Sequence, residues 1–348
     1  MLQRIFSLQW HITAACDQNC IHCYMHNEPT FESEFKNSLN LNQCKQVIDD
    51  LIEFSDEFKI IPKINFTGGD PLLRSDLFDI LKYANNKGVK LSILGNPYHI
   101  NIETAKKLRE NGVLSYQISI DGLKSVHDHF RKKGSFKESL KAIHTLKKAG
   151  IKTIVMFSLS KINAGDLQGV IDLCEQEKVD VFDFARVASV GNAKNMSNGV
   201  ITPEEYKKIL FDTFIHYLKI KYDGKTHTHF GRKDHLWNLL YQELGLPSFK
   251  PSDNIIYGGC GVGVNGFCIL ADGMVYACRR FPSAIGKVPE QKIKNIFLGK
   301  KMNYYRDLEK FEKCSKCDLK FTCRGCPAVA YGANGSFYAP DPQCWKVI

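Results

Sequence analysis

The run Ile5-Phe6-Ser7-Leu8-Gln9-Trp10-His11-Ile12 passes through Thr13-Ala14-Ala15 into Cys16-Asp17-Gln18-Asn19-Cys20-Ile21-His22-Cys23-Tyr24. Its first part has the β-branched and aromatic content of a strand, and its second sets three cysteines in one loop at that strand's C-terminal end. Three thiolates converging there can hold a four-iron cube and leave one iron without a protein ligand, free to chelate an amino and a carboxylate group. The competing reading is a zinc site whose fourth ligand comes from His22, His26 or a distant residue.

Outward from this loop, β-branched runs at residues 5–12, 61–67, 90–94, 115–120, 153–159 and 179–186 read as strands. Between them, residues 41–54, 77–86, 102–111, 135–149 and 165–177 carry apolar side chains at helical spacing, with Gly88, Gly112 and Gly150 where helix ends need them. The alternation predicts an α/β fold, a partial (β/α)6 TIM-like barrel over residues 1–200, whose functional face lies at the strands' C-terminal ends. Helical patterns at 203–221 and around 234–244, joined by a polar segment with Gly224, His227, His229 and His235, make 201–257 a helical bridge. From 258 to 348 turns and cysteines multiply, and residues 266–278 read as a hairpin around Asp272-Gly273.

The chain has 348 residues, 44% apolar and 24% charged, enough to bury a full core. No apolar run reaches membrane length and the N-terminus lacks a secretory signal, so a cytoplasmic protein is expected. In that compartment thirteen cysteines point to metal or cluster ligation rather than disulfides. The net charge of +10 favours anionic partners, but the lysines are scattered, which argues against a nucleic-acid footprint.

Further candidates follow strand ends. Phe66-Thr67-Gly68-Gly69-Asp70-Pro71 ends the second strand in a glycine pair beside a carboxylate; a plain turn is the alternative. The C-terminal region carries Cys260-x7-Cys268-x4-Gly273-x4-Cys278, then Cys314-x2-Cys317-x5-Cys323-x2-Cys326, then Cys344. A zinc ribbon shares the paired CxxC spacing but needs no extra cysteines. Cys44 and Cys174 lie on apolar helix faces and read as core.

The CxxxCxxC loop after a first strand, with Gly68-Gly69-Asp70-Pro71 similar to a Gly-Gly-Glu-Pro turn, resembles the radical S-adenosylmethionine (SAM) superfamily. The C-terminal cysteine pattern resembles a SPASM domain. The resemblance implies reductive cleavage of S-adenosyl-L-methionine to a 5′-deoxyadenosyl radical at a [4Fe–4S] cluster on Cys16, Cys20 and Cys23. It implies SAM contacts from Tyr24, Gly68, Gly69, Asp70, Asn96, Ser119, Asp121, Ser158 and Gly191, with Arg186 pairing with the methionine carboxylate. It also implies two auxiliary [4Fe–4S] clusters, one on Cys260, Cys268, Cys278 and Cys326, the other on Cys314, Cys317, Cys323 and Cys344. Cys268 would close the nearer cluster, where some relatives leave an iron open.

Auxiliary clusters offer an exit for an electron, so the expected chemistry is oxidative. Radical SAM peptide maturases, which form thioether or carbon–carbon crosslinks in ribosomal precursors, give the first functional expectation; Cys278-Arg279-Arg280-Phe281-Pro282 resembles them. Only fifteen residues precede Cys16, so leader recognition would fall to a separate leader-peptide-binding protein or to residues 197–257. The alternatives are oxidation of a carboxylated tetrapyrrole or other small metabolite, or a sulfatase-maturase-like protein modification, against which Arg279 counts. A flavodoxin- or ferredoxin-type electron donor is expected throughout.

Overall fold

The computed structural model describes residues 4–196, 200–224, 226–246 and 255–348; of the stretch 197–257 considered for leader recognition, residues 197–199, 225 and 247–254 lie outside the described residues. Six strands, β1 (Ile5–Thr13), β2 (Ile61–Gly68), β3 (Lys90–Leu94), β4 (Val113–Ser119), β5 (Lys152–Leu159) and β6 (Val181–Arg186), pair in parallel in chain order. Crossovers run through α1 (Phe31–Lys36), α2 (Leu41–Phe58), α3 (Leu77–Asn86), α4 (Ile102–Glu110), α5 (Lys124–Phe130), α6 (Ser135–Lys148) and α7 (Leu167–Gln176). Along β1, Phe6, Leu8, Trp10 and Ile12 join the apolar core with Val47, Ile48, Leu51 and Phe54 of α2. Ser7, Gln9, His11 and Thr13 therefore point to the other face, as the twofold period of a strand requires. Cys44 and Cys174 are buried in that core, as expected.

The sheet does not stop at six strands. A two-residue strand, β7 (His229–Phe230), continues it beyond β6 inside the stretch expected to be a helical bridge between α8 (Pro203–Tyr222) and α9 (Trp237–Glu243). At the other edge β8 (Gly266–Ile269) pairs in parallel with β1, then β9 (Met274–Tyr276) and β10 (Ala284–Lys287) follow antiparallel. The hairpin around Asp272-Gly273 is present, but it covers the open edge of the barrel sheet and satisfies backbone groups that β1 would otherwise expose.

The C-terminal region is joined to the barrel by side chains as well. Phe6 packs edge-on against Phe54, Phe267 and Phe297, with ring centroids 4.9, 5.7 and 5.0 Å away. Helix α10 (Ile293–Leu298) begins with the Ile293 N–H donating to Asp50 of α2 at 2.6 Å, beside a Lys292–Glu53 ion pair. Two short helices, α11 (Lys300–Tyr304) and α12 (Pro327–Asn334), complete the C-terminal region. Among the described residues no helix is long and apolar enough to cross a membrane.

Candidate active site

The cysteine loop leaves β1 at Thr13 and is gripped from below by the turn that ends β2. The Gly69 N–H donates to Thr13 O at 3.0 Å and the Asp70 N–H to Ala15 O at 2.7 Å. A Cβ on Gly68, whose φ is +141°, would sit 2.0 Å from Thr13 O, and one on Gly69 would sit 2.0 Å from Ala15 O. The glycines are required by the closeness of two backbones.

Asp70 is fully buried; its Oδ1 accepts the Leu72 N–H at 3.3 Å and its Oδ2 has no hydrogen-bond partner among the described residues. Burial, reinforced by the nearby Asp17 charge, pushes its carboxyl up to about 6. A buried acceptor left open in this way suits a cationic donor such as an ammonium group.

Asn96 stands at the loop but serves the protein: its Nδ2 donates to Asp17 Oδ1 at 2.8 Å and to Cys16 Sγ at 3.4 Å. His99 meets the other Asp17 oxygen at 3.0 Å. On the far side the Asn192 N–H donates to Cys23 O, and the Gly191 N–H to Glu28 Oε1. A Cβ on Gly191, where φ is +57°, would come within 2.5 Å of Cys23 O, so this glycine lets the β6 turn close onto the cysteine loop. Ser119 and Ser158 are half-buried at the ends of β4 and β5.

Two expected SAM contacts are engaged by protein partners in the structure. Arg186 was to pair with a methionine carboxylate, yet all five of its N–H donors are spent inside the protein. Nε and Nη2 donate to Asp234 at 2.8 and 3.2 Å, Nη1 and Nη2 to Asp341 at 2.6 and 2.8 Å, and Nη1 to Gln343 at 2.7 Å. Its role is to lock β6 to the chain's C-terminus. Asp121, also expected among the SAM contacts, is fully buried; Oδ1 accepts the Ser158 N–H at 2.7 Å and Oδ2 the Arg131 Nε–H at 2.6 Å. Arg131 holds Asp121 well below the usual carboxylate range, at about 2 despite burial.

Several of the expected cluster cysteines stand close enough to act on one another electrostatically. Burial pushes the Cys16 thiol up and that of Cys20 up to about 12, with the neighbouring Cys23 adding to both. Cys260 is pushed up to about 12 by burial together with Cys278 and Cys326, and burial, with Cys278 adding to it, raises Cys268 as well. Cys314, Cys317, Cys323 and Cys344 line one small cavity. Among the described residues, the one set of three or more His, Cys, Asp or Glu ligand atoms lying within 4.8 Å of one another is Asp17, Asp70 and His99. Sets of three and four thiols are the donor sets that iron–sulfur clusters take. His22 turns Nε2 to Arg131 and Asp121, at 3.4 and 3.5 Å, and His26 turns Nδ1 to Asn19 at 2.7 Å.

Beside Tyr24, between the first and second cysteine groups, lies a cavity lined by Tyr24, Tyr276, Phe281, Pro282, Arg279 and Arg280, among others. Arg279 pairs with the buried Glu34 at 2.7 Å and lies over the Tyr24 ring at 5.8 Å, while its Nε–H has no partner among the described residues. Arg280 donates to Cys326 Sγ at 3.0 Å. Sequence reading missed Asp17, Glu34, His99 and Arg131; Asp17 had the signal of lying inside the cysteine loop, whereas Glu34, His99 and Arg131 had none.

Comparison with known proteins agrees with this architecture. The Radical SAM superfamily model matches residues 10–174, and a SPASM iron–sulfur cluster-binding domain model matches residues 260–318. The chain is 29% identical over 351 residues to an AdoMet-dependent heme synthase of Oleidesulfovibrio alaskensis, covering 97% of this chain and 86% of that protein. It is 28% identical to an Fe-coproporphyrin III synthase of Methanosarcina barkeri (97% and 86%) and 26% identical to the mycofactocin maturase MftC of Mycolicibacterium smegmatis (97% and 82%). Its fold matches Streptococcus suis SuiB bound to S-adenosylmethionine with a TM-score of 0.77, at 16% identity over 99% of this chain and 78% of that one. The open cysteine loop, the clamped glycine turn and the C-terminal cysteine groups thus belong to a radical S-adenosylmethionine superfamily enzyme with a SPASM domain.

Proposed function

We propose that this enzyme oxidatively modifies a tetrapyrrole bearing carboxylate side chains, in the cytoplasm, with electrons from a flavodoxin- or ferredoxin-type donor. The observation that carries this reading is the cavity beside Tyr24. It sets aromatic rings beside the Arg279 Nε–H, which has no partner among the described residues, so a ring bearing a carboxylate could be met there at its edge. Likeness to proteins named heme synthase and Fe-coproporphyrin III synthase supports it.

Cys16, Cys20 and Cys23 would hold the catalytic cluster, which when reduced supplies with SAM a carbon radical able to take hydrogen from an unactivated C–H bond. The open Asp70 oxygen would accept the methionine ammonium, and Tyr24 would flank the adenine. Cys260, Cys268, Cys278 and Cys326 would hold one auxiliary [4Fe–4S] cluster and Cys314, Cys317, Cys323 and Cys344 another, three in all. Arg279 and Glu34 form a buried ion pair against the Tyr24 ring.

Crosslinking of a ribosomal peptide is the second reading, favoured by the likeness to a mycofactocin maturase. Anaerobic protein given dithionite, SAM and either iron coproporphyrin III or a precursor peptide separates the two. The expected result is 5′-deoxyadenosine formed together with a porphyrin of lower mass. An unchanged porphyrin beside a peptide that has lost hydrogen would overturn the tetrapyrrole reading.

A further inference from the structure

We propose that Arg131 and Asp121 form a charge pair that sets the reduction potential of the catalytic cluster, Arg131 raising it and Asp121 lowering it. The inference rests on a cluster residing at Cys16, Cys20 and Cys23.

Arg131 follows α5, and the Ile21 N–H donates to Phe130 O at 3.0 Å, so the cysteine loop and the end of this helix are stitched together by backbone. The guanidinium reaches back over the loop. Its Nη1 stands 3.8 Å from Cys20 Sγ and 3.4 Å from Gln18 Oε1, its Nη2 3.4 Å from His22 Nε2, and its Nε 2.6 Å from Asp121 Oδ2. The Arg131 side chain is 12% exposed and that of Asp121 fully buried. Asp121 is held in turn by the Ser158 N–H. Neither group has freedom to move away from the thiolates.

Reduction adds one electron from an external low-potential donor, with no bond made or broken, and leaves the cluster one unit more negative. A fixed cation on a cluster thiolate favours that added charge, and a fixed anion behind the cation opposes it; in a site with little water both effects are large. The pair is therefore a positioning device for electron affinity, distinct from any contact with substrate.

The test is EPR-monitored redox titration of the anaerobically reconstituted enzyme. Arg131→Met, which leaves the Asp121 charge behind, is expected to lower the midpoint, reducing the ratio of reduced to oxidised catalytic cluster at the wild-type midpoint by about tenfold or more. Asp121→Asn is expected to raise the midpoint, the double variant to return towards wild type, and Arg131→Lys to stay near it. Should Arg131→Met fail to assemble, the direction of the Asp121→Asn shift decides alone. Unchanged midpoints, or shifts of the same sign in both single variants, would overturn the inference, whereas absence of a cluster in the wild type would instead overturn the reading beneath it.

Discussion

At the barrel mouth, Cys16, Cys20 and Cys23 hang between strands whose apolar neighbours, from Phe6 to Ile12 and across to α2, are packed without any help from the cysteines. In the C-terminal region the cysteines are divided among apolar groups: Cys323 belongs to the main core with Cys317 and Cys344 packed against it, and Cys326 to a smaller patch around Phe281, Phe311, Phe337 and Tyr338. Cys314 and Cys344, thirty residues apart, face one cavity that Leu239, Leu319 and Ile348 line together with Lys313, Arg324, Asp341 and Lys346. The first region can afford an incompletely ligated site because its fold is already determined; in the second, whatever joins the cysteines also joins the loops.

The largest expected effect separates these two cases. Replacing Cys16, Cys20 and Cys23 with alanine should leave a folded protein with about two thirds of its iron and no SAM cleavage, whereas Cys314→Ala or Cys323→Ala should yield an aggregating or protease-sensitive chain. Iron analysis and limited proteolysis check this, and equal sensitivity of the two sets would erase the distinction. Arg186→Leu should come next, since it leaves Asp234 and Asp341 buried without their cation at the junction of the regions; a loss of about 3–5 kcal/mol is expected in chemical denaturation.

Smaller effects should stay on the barrel side. Gly69→Ala pushes against Ala15 O and must displace the loop carrying Cys16, so SAM binding should weaken about tenfold or more while the C-terminal clusters keep their spectra. The pH dependence of SAM binding reports on Asp70. Its carboxyl is raised to about 6, so it is ionised and able to receive an ammonium above that pH and is neutral below it. Calorimetry should show affinity falling as pH drops through about 6, approaching tenfold per unit, and Asp70→Asn should flatten the profile.

Much of this was legible in the chain itself. The six barrel strands come from local pattern and twofold alternation and survive folding almost unchanged. Strand neighbours are not local: nothing in Gly266–Ile269 tells that it pairs with Ser7–Trp10, and a two-residue strand such as His229–Phe230 has no period to read. Arg186 shows the same limit in chemistry. An arginine at a strand end looks alike whether it awaits a carboxylate ligand or already holds Asp234 and Asp341, which lie 48 and 155 positions further along. Asp121 shows it too, its partner Arg131 standing only ten residues away but on the far side of a helix.

The most direct measurement is the EPR signal of the catalytic cluster in the full enzyme, taken with and without SAM. The expected result is a [4Fe–4S]+ signal that changes shape on adding SAM, with 5′-deoxyadenosine formed under dithionite. A site holding zinc, or an iron signal indifferent to SAM with no 5′-deoxyadenosine produced, would contradict the claim that these three thiolates leave one iron open for the methionine head.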